Sequence, residues 1–148
     1  IAVRAETGKA SVDKAKCIGC GECLAICPSA AVTYDWDAPQ LAFQEKMAEF
    51  ALGIVTGREK TTMHITFCTS VTRNCDCMGG DNETYFDDIG VIASRDPVAL
   101  DQATVDLVNQ KAGKDFFRES FPEIDYTIQL KHGEKIGLGS REYQLVEI

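Results

Sequence analysis

Residues 88–101 read Asp88-Ile89-Gly90-Val91-Ile92-Ala93-Ser94-Arg95-Asp96-Pro97-Val98-Ala99-Leu100-Asp101. The short apolar run at 89–93, built around Gly90, reads as a buried strand. Asp96-Pro97 reads as a helix start. The aspartate side chain can accept from the first free backbone N–H groups, and proline at the first helical position loses no hydrogen bond by lacking its own. Val98, Ala99, Ala103, Leu107 and Val108 then give the helix an apolar face, and Gly113 ends it. A strand followed directly by an amphipathic helix points to an α/β layer, with an α+β arrangement as the alternative.

Toward the C-terminus, a further helix is expected around 124–135, broken by Gly137-Leu138-Gly139. Residues 141–148 alternate in polarity and read as a closing strand. In the other direction, 74–88 is irregular, and 61–68 (TTMHITFC) alternates and is rich in β-branched residues, so it reads as a strand. Asp37, Pro39 and Gln40 resemble a capped helix start. Phe43, Met47, Phe50 and Ile54 follow at helical spacing, predicting a helix over 38–56 whose Met and Phe stripe packs into the core. Short strands are expected at 1–3, 10–12 and 31–34, with a turn at Gly8.

The strongest chemical signal is Cys17-Ile18-Gly19-Cys20-Gly21-Glu22-Cys23-Leu24-Ala25-Ile26-Cys27-Pro28. This is C-x2-C-x2-C-x3-C-P, the ferredoxin run for a [4Fe–4S] cluster. Thiolates two residues apart on a tight loop can wrap the corners of one cubane. Gly19 and Gly21 let that loop turn. Ile18, Leu24 and Ile26 are expected to shield the cluster. Zinc is the chemical rival, but zinc sites pair two knuckles well apart in sequence. The candidate ligands are therefore Cys17, Cys20, Cys23 and Cys27. In two-cluster ferredoxins the fourth cysteine serves the other cluster. On that pattern a first cysteine run stood upstream of Ile1, and the cluster in this chain is incomplete or absent unless another thiol substitutes. Cys75 and Cys77, a C-x-C pair beside Gly79 and Gly80, are secondary metal-ligand candidates. Cys68, at the end of an apolar strand, reads as a buried free thiol.

The whole chain has 148 residues, 15 basic against 23 acidic, for a formal net charge of −8. That balance argues against a nucleic-acid partner, which needs a basic footprint, and favours a basic redox partner steered by charge. No apolar run is long enough to insert into a membrane. Seven cysteines, four of them within eleven residues, suit a metal cluster in a reducing compartment, the cytoplasm. No catalytic or nucleotide-binding fingerprint occurs. Asp76, between two cysteines, is the carboxylate worth testing. Asp96 reads as a cap, Asp87 and Asp88 as a solvated turn, and Asp101 as a residue favouring its helix N-terminus. His64 and His132 are distant in sequence from the Cys17–Cys27 run and read as structural.

Two resemblances follow from these residues. Residues 1–36 resemble the second half of a bacterial two-cluster ferredoxin. Residues 37–148 resemble an uncharacterised prokaryotic family, the domain-of-unknown-function 362 family. The second resemblance rests on Asn74-Cys75-Asp76-Cys77, on the stretch 88–101, and on Ile136-Gly137-Leu138-Gly139-Ser140-Arg141-Glu142-Tyr143. Together the two resemblances imply a small ferredoxin-like half-module followed by an α/β domain, forming the C-terminal part of a longer chain whose upstream segment is ferredoxin-type. The expected function is low-potential electron transfer to a redox partner protein. The alternatives are an iron–sulfur-dependent oxidoreductase with its site at the Cys75 to Asp88 loop, and an iron–sulfur or metal carrier in maturation.

Overall fold

The computed structural model describes residues 1–33, 40–74, 79 and 82–148. The chain is a mixed α/β fold with antiparallel sheets. It divides into two compact units, Ile1–Asp37 and Ala38–Ile148.

In the first unit, β1 (Ala2–Val3) pairs with β2 (Ala10–Ser11), Ala2 standing opposite Ser11. The connecting turn is closed by the Thr7 and Gly8 N–H groups donating to the Arg4 carbonyl, with Gly8 at φ 65°. One helix follows, α1 (Glu22–Ile26). Residues 31–33 form no strand, contrary to expectation, and Tyr34 lies outside the described residues. Ile18 and Ile26 are 78% and 67% exposed, while Leu24 is half-buried. A segment this short cannot bury its own apolar residues.

The second unit contains α2 (Gln40–Val55), β3 (His64–Cys68), β4 (Gly90–Ser94), α3 (Pro97–Ala112), α4 (Phe116–Ser120) and α5 (Thr127–Lys135). Asp37 and Pro39, read as the start of α2, lie outside the described residues. β3 and β4 pair in antiparallel register, with Thr66 opposite Ile92. α3 is the central element. It packs on both strands and on α4 and α5, while α2 packs on α5. Val98, Ala99, Leu100, Ala103 and Val108 of α3 are buried, and Leu107 is half-buried. Phe116 sits against Val108 and the Cys68 thiol, and meets the rings of Tyr85, Phe86 and Phe117 edge-on. Each such large apolar side chain contributes about 1.5–3 kcal/mol by leaving water.

Three expectations are corrected here. The α2 stripe is not core: Phe43, Met47, Phe50 and Ile54 are 66%, 45%, 62% and 64% exposed. α2 instead buries its small face. A Cβ built on Gly133 of α5 would lie 4.0 Å from Ala48 Cβ and 3.0 Å from Val98 Cγ2, so the helices meet through their smallest residues. The strand at 89–93 is not buried throughout. Its residues alternate, with Val91 exposed and Ile92 half-buried, because helices cover one face of the two-stranded sheet. Residues 141–148 form no strand. Their polar groups are held by α3 and α5 instead: Arg141 Nε donates to Gln102 Oε1 (3.0 Å), Arg141 N to Glu134 Oε1 (2.9 Å), and Tyr143 Oη to Asp106 Oδ2 (2.8 Å).

The Asp96-Pro97 start forms as expected. Asp96 Oδ1 accepts from Val98 N and Ala99 N, each at 2.9 Å. At the other end Gly113, at φ 68°, lets its own N–H and that of Lys114 return to the Gln110 and Asn109 carbonyls.

Candidate functional site

The cysteine loop is shaped by its backbone. Asp13 builds the turn that delivers Cys17: its side chain accepts from Ala15 N (3.0 Å) and its carbonyl from Lys16 N and Cys17 N. Gly19 and Gly21 then take left-handed conformations at φ 72° and 73°. A residue with a Cβ would be strained at either position. Gly21 also caps α1, so Cys23 and Cys27 fall four apart along one helical turn and its end.

All four thiols are free; Cys17 and Cys20 are exposed, Cys23 and Cys27 half-buried. Cys23 and Cys27 line a cavity of about 1050 Å³ in this unit, together with Val12, Ile26 and Pro28. The Ala31 N–H donates to Cys27 Sγ at 3.3 Å. That donor, followed by the Ser29 amide, holds the Cys27 thiol below its usual pKa, because N–H groups aimed at sulfur favour the thiolate. Cys27 is thus prepared to act as an anionic ligand.

Among the described residues, no three His, Cys, Asp or Glu side chains converge closely enough to hold one metal ion. A cluster makes a different demand, since each thiolate meets its own iron. Four soft donors on a glycine-bent loop, one already biased toward thiolate, match that demand in chemistry.

The other candidates fall elsewhere. Cys75, Asp76 and Cys77 lie outside the described residues. Cys68 is a buried free thiol, its pKa raised by burial and then by the Asp88 carboxylate. Asp88 is more than a solvated turn residue, since its Oδ1 accepts from Ser70 N at 2.7 Å. His64 opens β3. His132 lies between two glutamates of α2, with Nε2 3.1 Å from Glu49 Oε1 and Nδ1 3.6 Å from Glu45 Oε1. It ties α5 to α2. Asp101 lies in an apolar cleft of the second unit. The sequence carried a sign of this, because Asp101 interrupts the helical line from Val98 to Val105. The Ala31 donor had no sequence signal.

A sequence profile described as Domain of unknown function (DUF362) matches residues 6–106. The chain belongs to the DUF362 family. The DUF362 match runs through the cysteine loop and across the boundary between the two units, and ends within α3. A curated protein of Mesobacillus selenatarsenatis, named as a subunit of a selenate reductase, is 35% identical over 63 residues, covering 38% of this DUF362 chain. The match covers 22% of that protein's length. No solved structure matches the chain. No described helix is long and apolar enough to cross a membrane.

Proposed function

We propose that the first unit holds a [4Fe–4S] cluster through Cys17, Cys20, Cys23 and Cys27, as a ferredoxin-type segment, and that the protein passes single electrons to a redox partner protein. The observation that carries this reading is the C-x2-C-x2-C-x3-C-P run bent by two left-handed glycines, Gly19 and Gly21. The relative named as a selenate reductase subunit adds support for a redox role.

The cluster, when bound, supplies one-electron chemistry over a potential range set by its surroundings. The chain's residues supply the rest. The four thiolates hold the group. The Ala31 N–H directs a partial positive charge at Cys27 Sγ. The formal charge of −8 opposes the added electron, which favours a low potential. The reading places the protein in a reducing compartment, the cytoplasm, where thiols stay free.

The test is iron and acid-labile sulfide per chain on anaerobically purified protein, with an EPR spectrum after dithionite. About four of each and a reduced-cluster signal are expected. Zinc in place of iron, or iron content unchanged by Cys17→Ser and Cys20→Ser, overturns the reading.

A further inference from the structure

The second unit contains a cleft unrelated to the cysteines. α2 and α3 both pack against α5. The gap left between them is a cavity of about 560 Å³, within the roughly 300–1,000 Å³ typical of small-molecule sites. Phe43, Met47, Phe117 and Tyr126 supply apolar and aromatic walls. A second cavity, of about 170 Å³, shares Asp101 and Gln129 with it, so these two polar residues stand where the cavities meet.

The polar groups of the cleft divide into two sets. Several are already engaged. The Gln44 amide donates to the Asp125 carbonyl (3.0 Å) and accepts from Gln129 N (3.4 Å). The Thr104 hydroxyl donates to the Leu100 carbonyl (2.8 Å), and Tyr126 Oη donates to Asp115 Oδ2 (3.2 Å). The Asp101 carboxylate and the Gln129 side-chain amide, by contrast, make no hydrogen bond to any described residue. Asp101 lines the cleft while remaining exposed to water; partial desolvation pushes its pKa up, and the field of His64 opposes that shift. A carboxylate so placed is stabilised by a cation delivered to it. Aromatic rings line the same cleft, and ring faces favour a cation as well.

We propose that this cleft binds a small organic cation: a protonated amine on an apolar or aromatic body, its ammonium paired with Asp101 and a second polar group met by the Gln129 amide. The apolar walls take the body of the ligand. Asp101 is the one charged side chain among the described residues that line the cleft, and it sets the sign of the ligand. The site stands apart from the cluster reading and does not depend on it.

The test uses a matched pair of probes on the intact protein, phenethylammonium and 3-phenylpropionate, which share an aromatic body and differ in charge. Binding is followed by amide chemical-shift changes and calorimetry. Phenethylammonium is expected to shift residues lining the cleft, and 3-phenylpropionate to leave them unmoved. Asp101→Asn keeps the shape of the side chain and is expected to weaken phenethylammonium about tenfold or more, as loss of a charged hydrogen bond does. Three outcomes overturn the proposal: equal binding of the two probes, unchanged amine affinity in Asp101→Asn, or shifts that map outside the cleft. The probe comparison needs no variant, so the proposal stays testable even if Asp101→Asn fails to fold.

Discussion

Gly139 lies so close to Asp96 that a Cβ built on it would collide with all three carboxyl atoms of the aspartate. The contact exists because Asp96 does two jobs. Oδ1 caps α3 by accepting from Val98 N and Ala99 N, and Oδ2 accepts from Ser140 N at 2.7 Å. The chain at 139–140 must approach the carboxylate closely, and only glycine leaves room.

Substitution at either end of this clamp is therefore expected to be costly, and the costs should not add. Asp96→Ala loses a cap, about 0.5–2 kcal/mol, and strands the Ser140 N–H. Gly139→Ala forces the carboxylate or the loop aside, about 1–3 kcal/mol. In the Asp96→Ala background, Gly139→Ala should cost much less, because the colliding atoms are gone. Urea unfolding of the four proteins in the cycle measures this, and strict additivity would count against the clamp.

The thiols should differ in reactivity. Cys27, its thiolate favoured by the Ala31 amide, should be alkylated at lower pH than an ordinary cysteine. Cys68, buried and facing Asp88, should react last and only at higher pH. Timed iodoacetamide labelling of cluster-free protein across a pH series, read by mass spectrometry, gives the order. Faster labelling at Cys68 would contradict the assigned environments.

The orientation of α2 is testable by stability. Phe50→Ser and Ile54→Ser, on its exposed stripe, should change stability by no more than about 0.5 kcal/mol. Ala48→Leu, at the contact with Gly133, should cost about 1–3 kcal/mol by overpacking. If the serine variants prove the more damaging, α2 presents the opposite face to α5.

Asp125 gives a pH dependence of known sign. Its carboxylate accepts from Thr127 Oγ1 (2.6 Å) and Thr127 N (3.1 Å), which lowers its pKa. A lowered folded pKa stabilises the fold above the unfolded value of about 3.9, and that stabilisation is lost as pH falls through the lower folded value. The side chain is 42% exposed, so solvent keeps the effect small. The difference in Tm between the unaltered protein and Asp125→Asn should be present at neutral pH and shrink below about pH 4. A difference independent of pH would remove the carboxylate from the account.

What could be read from the sequence was what depends on near neighbours in the chain. Asp96-Pro97 announced α3, because capping is decided within three residues. Ala10-Ser11 and Gly8 announced the first hairpin for the same reason. The α2 stripe misled, because periodicity at Phe43, Met47, Phe50 and Ile54 shows that an apolar face exists and not that anything covers it. Residues 141–148 alternate like a strand, yet the partners of Arg141 and Tyr143 are side chains of α3, Gln102 and Asp106, about forty positions away. Helix α4 is one turn long and carries no period to detect. At the cysteines, residue type and spacing were legible. The amide of Ala31 was not, since any residue supplies one.

The reach of the Asp96 clamp has a consequence in time. Its two ends are 44 positions apart in the chain. At a synthesis rate of roughly 5–20 residues per second, Asp96 is made about 2–9 seconds before Ser140. For that interval the helix lacks one of the bonds to its capping aspartate, as well as the contacts that Gln102 and Asp106 make with Arg141 and Tyr143. The central helix of the second unit is thus made early and secured late.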